Sequence, residues 1–592
     1  MKTKFLLALF FITISYNDFV FGQTSVCPDD PPANPFLADS PYPIFHRNNY
    51  CQASTCLPGP MPGDSLRVIY RKKIKGSTSP YTYLSEKYPN GKRVMLQSNA
   101  THVFKFIDEG GKIKTIDSLR IDFDAFRSFG WSFFQGKDKI WYTFDPKPLR
   151  KFPYRSSKLF KLSDADVNDP YSDIVVLDTF DFGKLGIHRV PNFTLLYDGN
   201  IAFLSRREPK ADYATIGIIS PDFELLDSYR IPTMGDEILT HNLLAADEEN
   251  NFYIVTTKRM LQIKWDGSKV STGYSAIYDF VADGPTGTFA EGSGTTPTLM
   301  GWGEGNDKIV VVADGHANNN LVAFWRELPE NWEGIPGRDI HFAGSIKLPA
   351  AFTFNNQFQS IENSPCANGY EIAVAQFNGF LGQKCPTVKG VQKLHWDTDA
   401  DKFVIDWVNT EVNFNNILTY SRGSNLVYGS GRKDSDCNYY YYGIDWTTGE
   451  VVLEVYLGPR GPFTDNRYDD GGNAQVIDEK GNIFFSGGAS LVKIEIVARA
   501  GDKEEVPLEE NPTPNEKDKF RMFPVPVDST LYIEGLGLED RGLYRIFGIH
   551  GTLIKEGELE GDSIDLKQLA SGLYFFEYHG QEKKWTKKFI KK

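Results

Sequence analysis

The chain has 592 residues, enough for about three to four domains, or for fewer if one is a large all-β unit. An aromatic fraction of 14% with 53 glycines and 33 prolines favours short strands joined by many turns over a helical bundle. A charged fraction of 24% and a hydrophobic fraction of 41% exclude a wholly disordered chain. The net charge of -13 argues against a nucleic-acid-binding protein, which needs a basic surface to neutralise phosphates.

The first 22 residues have the pattern of a secretory signal peptide. Two lysines precede an apolar run from Phe5 to Ile14, and Val20 and Gly22 occupy the -3 and -1 positions of a cleavage site. The apolar run is shorter than the roughly 20 residues of a membrane-spanning helix, although an uncleaved anchor is the alternative. No other segment is apolar enough to span a membrane. We therefore expect an exported mature protein, and the resemblance of the C-terminal region described below implies a route through the periplasm to the outer-membrane surface or the exterior.

Residues 23–64 form an N-terminal segment that contains three of the six cysteines, and all six follow the expected cleavage site. An even number of cysteines in an exported chain favours disulfides over zinc, since the sequence has no CxxC pair and no nearby histidine. Six cysteines allow 15 pairings. Short loops favour the pairs Cys51–Cys56 and Cys366–Cys385, which leaves Cys27 for Cys437.

Residues 65–497 contain a repeat of short strands and turns with a spacing of roughly 45 to 65 residues. The second strand of each copy is apolar and rich in aromatic or branched residues: 93–96, 140–142, 201–204, 252–255, 309–312, 372–374, 426–428 and 483–485. A third strand follows in most copies: 102–106, 159–162, 260–264, 393–396, 442–446 and 491–494. The pattern predicts an all-β fold, a seven- or eight-bladed β-propeller with eight blades preferred. Stacked β-sandwiches are the alternative, but they do not explain the repeat.

An acidic linker is expected at 498–519, and a second strand-and-turn pattern fills residues 520–592. It opens at Phe523–Val527, continues through a strand ending in a glycine turn and a Leu-x-x-Gly-x-Tyr strand at Leu569–Tyr574, and ends in a lysine-rich strand. This order resembles the type A C-terminal sorting domain of the type IX secretion system of Bacteroidota. Val525 departs from the usual asparagine. The resemblance implies a small β-sandwich that is recognised by the secretion machinery and then removed, with the cargo released or attached to surface lipopolysaccharide.

The repeat itself resembles quinoprotein-type and related bacterial propellers, a resemblance that implies a fold and not an activity. A pyrroloquinoline quinone dehydrogenase usually carries an adjacent cysteine pair and regular tryptophan motifs. Neither is evident in this sequence.

In a propeller the innermost strand of each blade starts beside the central channel, so polar residues at these starts converge on the axis. Their amide, hydroxyl and carboxylate oxygens suit a hard cation such as Ca²⁺. The candidate metal ligands are Glu362, Asn363, Asn416 and Asp470, and the candidate catalytic residues are His241 as general base and Glu362 as acid. The alternative is that these residues only bind strand ends and water.

Two functions remain open from the sequence. The first is a secreted or cell-surface propeller that binds a glycan, a polymer or a protein. Tyr439–Tyr442 are candidates for stacking on sugar rings, although alternating burial in a strand explains them equally well. The second is a calcium-assisted hydrolase, lactonase-like or esterase-like, with its site in the central channel. Whether the protein is an enzyme is left undecided by the sequence.

Overall fold

The computed structural model describes residues 27, 29–72, 81–98, 102–121, 133–145, 157–187, 190, 192–205, 212–235, 237, 242–279, 292–314, 319–349, 361, 363–376, 385, 389–459, 474–487, 490–500, 521–523, 527–534, 542–548, 552–559, 563–579 and 584–592. The chain divides into two units, one ending at Gly501 and one beginning at Asp502. The expected signal peptide and nearly all of the expected linker lie outside the described residues. Among those described, no helix is long and apolar enough to cross a membrane.

The first unit is built from short antiparallel sheets, and the described residues form eight of them. In the first seven, which we call blades 1 to 7, the strands lie side by side in chain order, so each blade needs only short turns between neighbours. Two strands, β1 (Ser54–Thr55) and β2 (Ser65–Lys72), precede blade 1. Blades 1 to 3 contain β3 (Tyr81–Leu84), β4 (Met95–Ser98), β5 (His102–Glu109), β6 (Lys112–Arg120); β7 (Phe133–Gln135), β8 (Trp141–Asp145), β9 (Lys158–Asp164), β10 (Ile174–Asp181); and β11 (Asn192–Leu195), β12 (Ile201–Leu204), β13 (Tyr213–Ile219), β14 (Leu225–Pro232).

Blades 4 to 7 repeat the same order, and β1 adds to blade 7 by pairing in parallel with its innermost strand. A short 3₁₀ helix, Phe182–Leu185, lies between blades 2 and 3. The strands of blades 4 to 7 are β15 (Ala245–Ala246), β16 (Phe252–Val255), β17 (Arg259–Trp265), β18 (Val270–Ile277); β19 (Thr298–Met300), β20 (Ile309–Ala313), β21 (Asn320–Trp325), β22 (Phe342–Lys347); β23 (Cys366–Asn368), β24 (Glu371–Ala375), β25 (Val391–Asp397), β26 (Lys402–Asn409); and β27 (Thr419–Ser421), β28 (Leu426–Arg432), β29 (Tyr439–Asp445), β30 (Val451–Gly458).

Blade 8 combines the two ends of the first unit. Its inner strands are β31 (Val476–Ile477), β32 (Ile483–Gly487) and β33 (Ser490–Ala498), and its outermost strand is β2, which runs antiparallel to β33. Because β2 comes from the start of the repeat and β33 from its end, this pairing closes the ring of blades. The predicted β-propeller is confirmed, and the predicted second and third strands overlap the observed ones in every blade for which they were named.

Successive blades are held together by apolar faces and by a recurring tryptophan contact. The apolar clusters each join neighbouring blades, with Val311 of blade 5 against Val374 of blade 6 as one example. In three blades a tryptophan near the end of the third strand donates its Nε1–H to a carboxylate of the preceding blade, located in the turn between the first two strands or at the start of the second. The pairs are Trp265 with Asp198 at 2.6 Å, Trp396 with Asp307 at 2.8 Å and Trp446 with Glu371 at 2.8 Å. The sequence interpretation missed this regularity.

The second unit contains two antiparallel sheets with a shared apolar core, which includes Leu531, Ile546 and Phe576. One sheet has the order β34-β35-β38 and the other β37-β36-β39-β40. The predicted Leu-x-x-Gly-x-Tyr strand and the lysine-rich last strand overlap observed strands, whereas residues 524–526 of the predicted opening lie outside the described residues. The bounds of the strands are β34 (Arg521–Phe523), β35 (Thr530–Glu534), β36 (Leu543–Gly548), β37 (Leu553–Glu558), β38 (Ser563–Asp565), β39 (Gly572–His579) and β40 (Lys584–Lys591).

The predicted disulfide pairing was wrong. The structure joins Cys27 to Cys56 and Cys385 to Cys437, with Cα–Cα distances of 5.5 Å and 5.9 Å. The two remaining cysteines, Cys51 and Cys366, are buried thiols. Both face apolar clusters inside the propeller, away from the loops that carry their expected partners. Proximity along the chain was therefore a poor guide to proximity in space.

We expect peptide mapping of the unreduced, denatured protein to find these two disulfides and two free thiols. Burial raises the pKa of both Cys51 and Cys366, so neither thiol should react with iodoacetamide until the protein is unfolded. Mass spectrometry of the labelled peptides provides the measurement. A disulfide that includes Cys51 or Cys366 would contradict the assignment.

Candidate functional site

The innermost strands of the blades surround the central channel, and each is a sheet edge whose backbone groups face the axis. Residues 34–59, which we call the axial segment, cross the channel and pair with these edges. In blade 2 the backbone N–H of Ala38 donates to Gln135 O at 2.9 Å, and Gln135 N–H donates to Pro43 O at 2.8 Å. In blade 3 the side-chain amide of Asn49 donates to Leu195 O at 2.7 Å. The Ser40 hydroxyl donates to the end of the innermost strand of blade 1.

Further along, the axial segment contacts blades 4 to 7 in chain order through its backbone carbonyl oxygens. Five of these oxygens accept from backbone N–H groups at the innermost strands, with N–O distances between 2.7 and 3.1 Å. The pairs are Asn49 with Ala246, Tyr50 with Leu299, Gln52 with Ala367, Ala53 with Tyr420 and Thr55 with Arg422. One segment therefore reaches the innermost strands of seven blades among those described, which places it on the axis.

The backbone of the axial segment adopts an unusual conformation to do this. In an extended strand successive carbonyls point in opposite directions, whereas here neighbouring carbonyls all point outward to the blades. Four non-glycine residues accordingly have positive φ angles: His46 at 58°, Arg47 at 74°, Cys51 at 57° and Ala53 at 52°. Such conformations are unfavourable by themselves, and they persist where surrounding contacts determine them. The hydrogen bonds to the blades are those contacts.

A buried ion pair and a disulfide fix the axial segment. Arg47 pairs with Asp30, and Arg422 of blade 7 pairs with the same carboxylate. Burial alone would raise the pKa of Asp30, but Arg47, and then Arg422, bring it below its usual value. The Cys27–Cys56 disulfide lies beside this cluster, because Arg47 Nη2 approaches Cys27 Sγ at 3.4 Å. The disulfide therefore joins the axial segment covalently to the residues that precede it, and the ion pairs of Asp30 link Arg47 of the segment to Arg422 of blade 7.

The axial segment's hydrogen bonds to blades 1 to 4 lie at the last residues of the innermost strands, near the turns that lead into the second strands. We call this the sealed end, and we call the opposite end, where the innermost strands begin, the strand-start end. On the sealed side the fully buried Arg326 stacks on Tyr50 of the axial segment at 5.0 Å from the ring centroid. Tyr50 in turn donates its hydroxyl to Glu248 of blade 4.

His46 is the one histidine of the axial segment, and it is completely buried. Its ring lies 4.2 Å from the Phe45 ring, and neither ring nitrogen has a hydrogen-bond partner among the residues described. Burial lowers the pKa of His46 from 6.5 to about 3. The folded protein therefore holds this imidazole neutral, whereas the unfolded chain protonates it below pH 6.5.

Stability should therefore fall as the pH decreases through this window. Between pH 7 and 5 the protonation of His46 in the unfolded chain should lower the free energy of unfolding by about 2 kcal/mol. Asparagine tolerates the positive φ angle and does not titrate. The free energy of unfolding of His46→Asn should therefore decrease between pH 7 and 5 by about 2 kcal/mol less than that of the wild type. Denaturant unfolding at both pH values measures the difference. His46→Gln should show the same reduced pH dependence, and parallel wild-type and variant profiles would contradict the assignment.

At the strand-start end, the structure describes two of the five predicted site residues. His241, Glu362 and Asp470 lie outside the described residues. Asn363 precedes β23 of blade 6 and Asn416 precedes β27 of blade 7, and both are buried. Asn416 Oδ1 accepts from the backbone N–H of Ser430 at 2.8 Å, whereas Asn363 has no hydrogen-bond partner among the residues described. The convergence of the five residues therefore stays a prediction.

Several other polar residues at the strand starts bind backbone groups. Ser364 Oγ accepts from Thr296 N–H at 2.8 Å, which ties blade 6 to blade 5. Ser293 Oγ donates to Ala313 O at 2.7 Å, and Asn413 Oδ1 accepts from Arg432 N–H at 3.0 Å. These contacts agree with the alternative that such residues bind strand ends. Within the described part of the chain, no group of three or more histidines, cysteines and carboxylates is placed to hold a metal ion.

Two further features of the strand-start end were not recognised in the sequence. The Cys385–Cys437 disulfide links the loops between the second and third strands of blades 6 and 7, and Lys389 pairs with Asp434 beside it at 2.9 Å. Buried glutamines, Gln376 among them, lie at or near the ends of several strands. A glutamine that follows an apolar run, as in the Ala-Val-Ala-Gln ending at Gln376, is the sequence pattern that indicates them.

The tyrosine run in blade 7 is mainly structural. Tyr439, Tyr441 and Tyr442 are buried, and only Tyr440 is half-buried. Tyr441 donates to the side chain of Gln475 in the core between blades 7 and 8. Three of the four rings are therefore unable to stack on a sugar in this conformation.

Comparison with known proteins finds a similar sequence and similar solved structures. An uncharacterized protein of Archaeoglobus fulgidus is 29% identical over 454 residues, which cover 73% of this chain and 83% of that protein. Similar solved structures include a europium-containing methanol dehydrogenase. It is 10% identical in sequence, the match covers 75% of this chain and 90% of that chain, and the TM-score is 0.40. A putative 6-phosphogluconolactonase from Bacteroides fragilis has 13% identity, covers 64% of this chain and 96% of that chain, and has a TM-score of 0.35. Likeness at this level concerns the fold and carries no argument about activity.

Residues 521–592 match the family of secretion system C-terminal sorting domains. The match covers both sheets of the second unit and agrees with the resemblance found in the sequence. The second unit is therefore a type IX sorting domain that directs the chain to the cell surface or beyond, and the first unit is the β-propeller that it exports.

Proposed function

We propose that the exported propeller is a binding module for a glycan, a polymer or a protein, and that it takes this ligand at the strand-start end of its channel. The observation that carries the proposal is the axial segment, which makes backbone or side-chain hydrogen bonds to the innermost strands of seven blades and so occupies the other end. A binding module needs no group beyond a rigid, shaped surface, and propellers supply one through the loops of their blades.

The geometry of the strand-start end supports the proposal. The disulfide between Cys385 and Cys437 and the ion pair between Lys389 and Asp434 join the loops of two blades. Loops held in one arrangement lose less conformational entropy on binding than free loops do. Covalently joined loops on a closed ring are thus a preorganised binding surface.

Blocking the two ends of the channel separately tests the proposal. Lys389→Cys places a thiol at the strand-start end, and Lys480→Cys places one in an exposed turn of blade 8 at the sealed end. Each variant is labelled with a polyethylene-glycol maleimide, to which the buried Cys51 and Cys366 are inaccessible. Binding of the full chain to immobilised xylan, mannan, chitin and gelatin is then measured. We expect the label on Lys389→Cys to abolish binding and the label on Lys480→Cys to leave it unchanged.

Equal binding by the two labelled proteins would show that the ligand does not approach the strand-start end. Failure of the unlabelled wild-type chain to bind any of the four materials would contradict a role as a glycan- or protein-binding module. The unlabelled cysteine variants control for the substitutions themselves.

The alternative, a calcium-assisted hydrolase of the lactonase or esterase type, makes a different prediction. An ion that binds only the folded protein at 100 times its dissociation constant adds about 2.7 kcal/mol to the free energy of unfolding. For a binding module without calcium, we expect equal thermal midpoints of the full chain in EDTA and in excess calcium. A calcium-dependent rise that is lost in Asn363→Ala but kept in Asn90→Ala, in an exposed turn, would favour the hydrolase.

A further inference from the structure

The interface between blades 5 and 6 changes from apolar to polar as it approaches the strand-start end. Ile372 and Val374 of β24 and Leu394 of β25 belong to the apolar cluster that packs against blade 5. Side chains two residues apart on a strand share a face. Gln376, two residues beyond Val374, therefore continues this face, as does Gln392, which pairs directly with Val374.

Asn363 and Gln376 lie at the same end of blade 6. The register pairs Cys366 with Ala373, and each of the two residues lies three positions beyond this pair along its own chain segment, Asn363 before β23 and Gln376 after β24. Asn363 is 1% exposed and Gln376 is 0% exposed, so both amides are enclosed by protein.

These two side chains lack the hydrogen bonds that buried amides ordinarily make. Neither the oxygen nor the nitrogen of either amide has a partner among the residues described. In folded proteins the large majority of buried polar atoms are paired. Four buried amide atoms without partners among the described residues are therefore the feature from which a ligand can be inferred.

Gln475 of blade 8 shows that this fold satisfies a buried glutamine where its role is structural. It is equally buried, at 0% exposure. Its Nε2 donates to Ile417 O at 2.9 Å and to Tyr428 O at 3.0 Å, and its Oε1 accepts from the Tyr441 hydroxyl. Gln475 and Gln376 thus share residue type and burial and differ in hydrogen bonding, which makes them a matched pair.

The chemistry of the unpaired atoms indicates the class of ligand. Each amide offers a donor and an acceptor and carries no charge. Hydroxyl groups likewise donate and accept, and neighbouring hydroxyls on a sugar ring match two neighbouring amides. A charged ligand would instead call for a buried counter-charge.

We propose that Asn363 and Gln376 bind hydroxyl groups of a neutral sugar residue of a glycan that enters from the strand-start end. This inference rests on the proposed binding function and narrows its ligand to a neutral glycan. The sugar would supply the hydrogen bonds that the two amides lack in the unliganded protein.

Isothermal titration calorimetry of the full chain with xylopentaose, mannopentaose and chitopentaose tests the inference. Gln376→Met keeps the side-chain volume but removes both polar atoms, and Gln475→Met makes the same change at the matched position. We expect at least one oligosaccharide to bind the wild type and to bind Gln376→Met about tenfold more weakly or worse. Gln475→Met should keep the wild-type affinity, and Asn363→Leu should weaken binding as Gln376→Met does.

Thermal unfolding without sugar supplies an independent readout. Gln376→Met loses no hydrogen bond of the fold, so its midpoint should equal or exceed that of the wild type. Gln475→Met leaves three buried partners unpaired, so its midpoint should fall. An equal fall in both variants would show that Gln376 is already hydrogen-bonded in the native protein, for instance to ordered water, and would overturn the inference.

The binding outcomes distinguish this inference from the proposed function. An oligosaccharide that binds the wild type and Gln376→Met equally would place the glycan site elsewhere and overturn the inference, while the binding function would stand. Binding of gelatin alone, blocked by the label on Lys389→Cys, would likewise keep the function and overturn the sugar assignment. Absence of binding to every oligosaccharide and every immobilised material would overturn both.

Discussion

The structure of the propeller depends on the backbone groups at its axis. Each blade presents the free edge of its innermost strand to the channel, and buried backbone groups without partners are costly. The axial segment meets this requirement at one end by supplying carbonyl oxygens in succession, as at Asn49, Tyr50 and Gln52. The positive φ angles, the Asp30 ion pairs and the buried His46 are all consequences of fitting one chain into that ring. The strand β2 then closes the ring of blades by pairing with β33 as the outermost strand of blade 8.

The repeat and the sorting domain could be predicted from sequence because both are encoded locally. Apolar strands such as Ile309–Val312 alternate with turns, and the sorting domain carries a motif. The axial segment could not be predicted in the same way. Its bonds use backbone carbonyls, which every residue type possesses, and join residues that are distant in sequence, such as Ala53 and Tyr420. The predicted disulfide pairing was wrong for the same reason, because Cys27 and Cys56 come together only when the axial segment between them has its folded conformation.

For the candidate site, the position of a residue at the start of an innermost strand was the sequence feature that predicted its location. Asn363 and Asn416 do lie at strand starts, as expected, but their surroundings differ: one is unpaired among the described residues and the other is bound to Ser430. Gln376 was not predicted because it follows the end of a second strand and does not precede a first strand. In an antiparallel blade the end of the second strand reaches the same end of the channel. Residue type alone also cannot separate Gln376 from Gln475, since only their partners differ.

The pairing of β2 with β33 has a consequence for how the chain acquires its fold. Partners such as Arg67 and Glu495 are separated by 428 positions, so the contact order of the ring is high. Folding during synthesis can form individual blades, but neither the axial segment nor β2 has a full set of partners until the last blade has emerged. The N-terminal residues can pair early with blades 1 to 3, but they acquire their last partners only after most of the chain has been synthesised. The pairing of β2 with β33 closes the ring of blades, and this closure is a late step in folding.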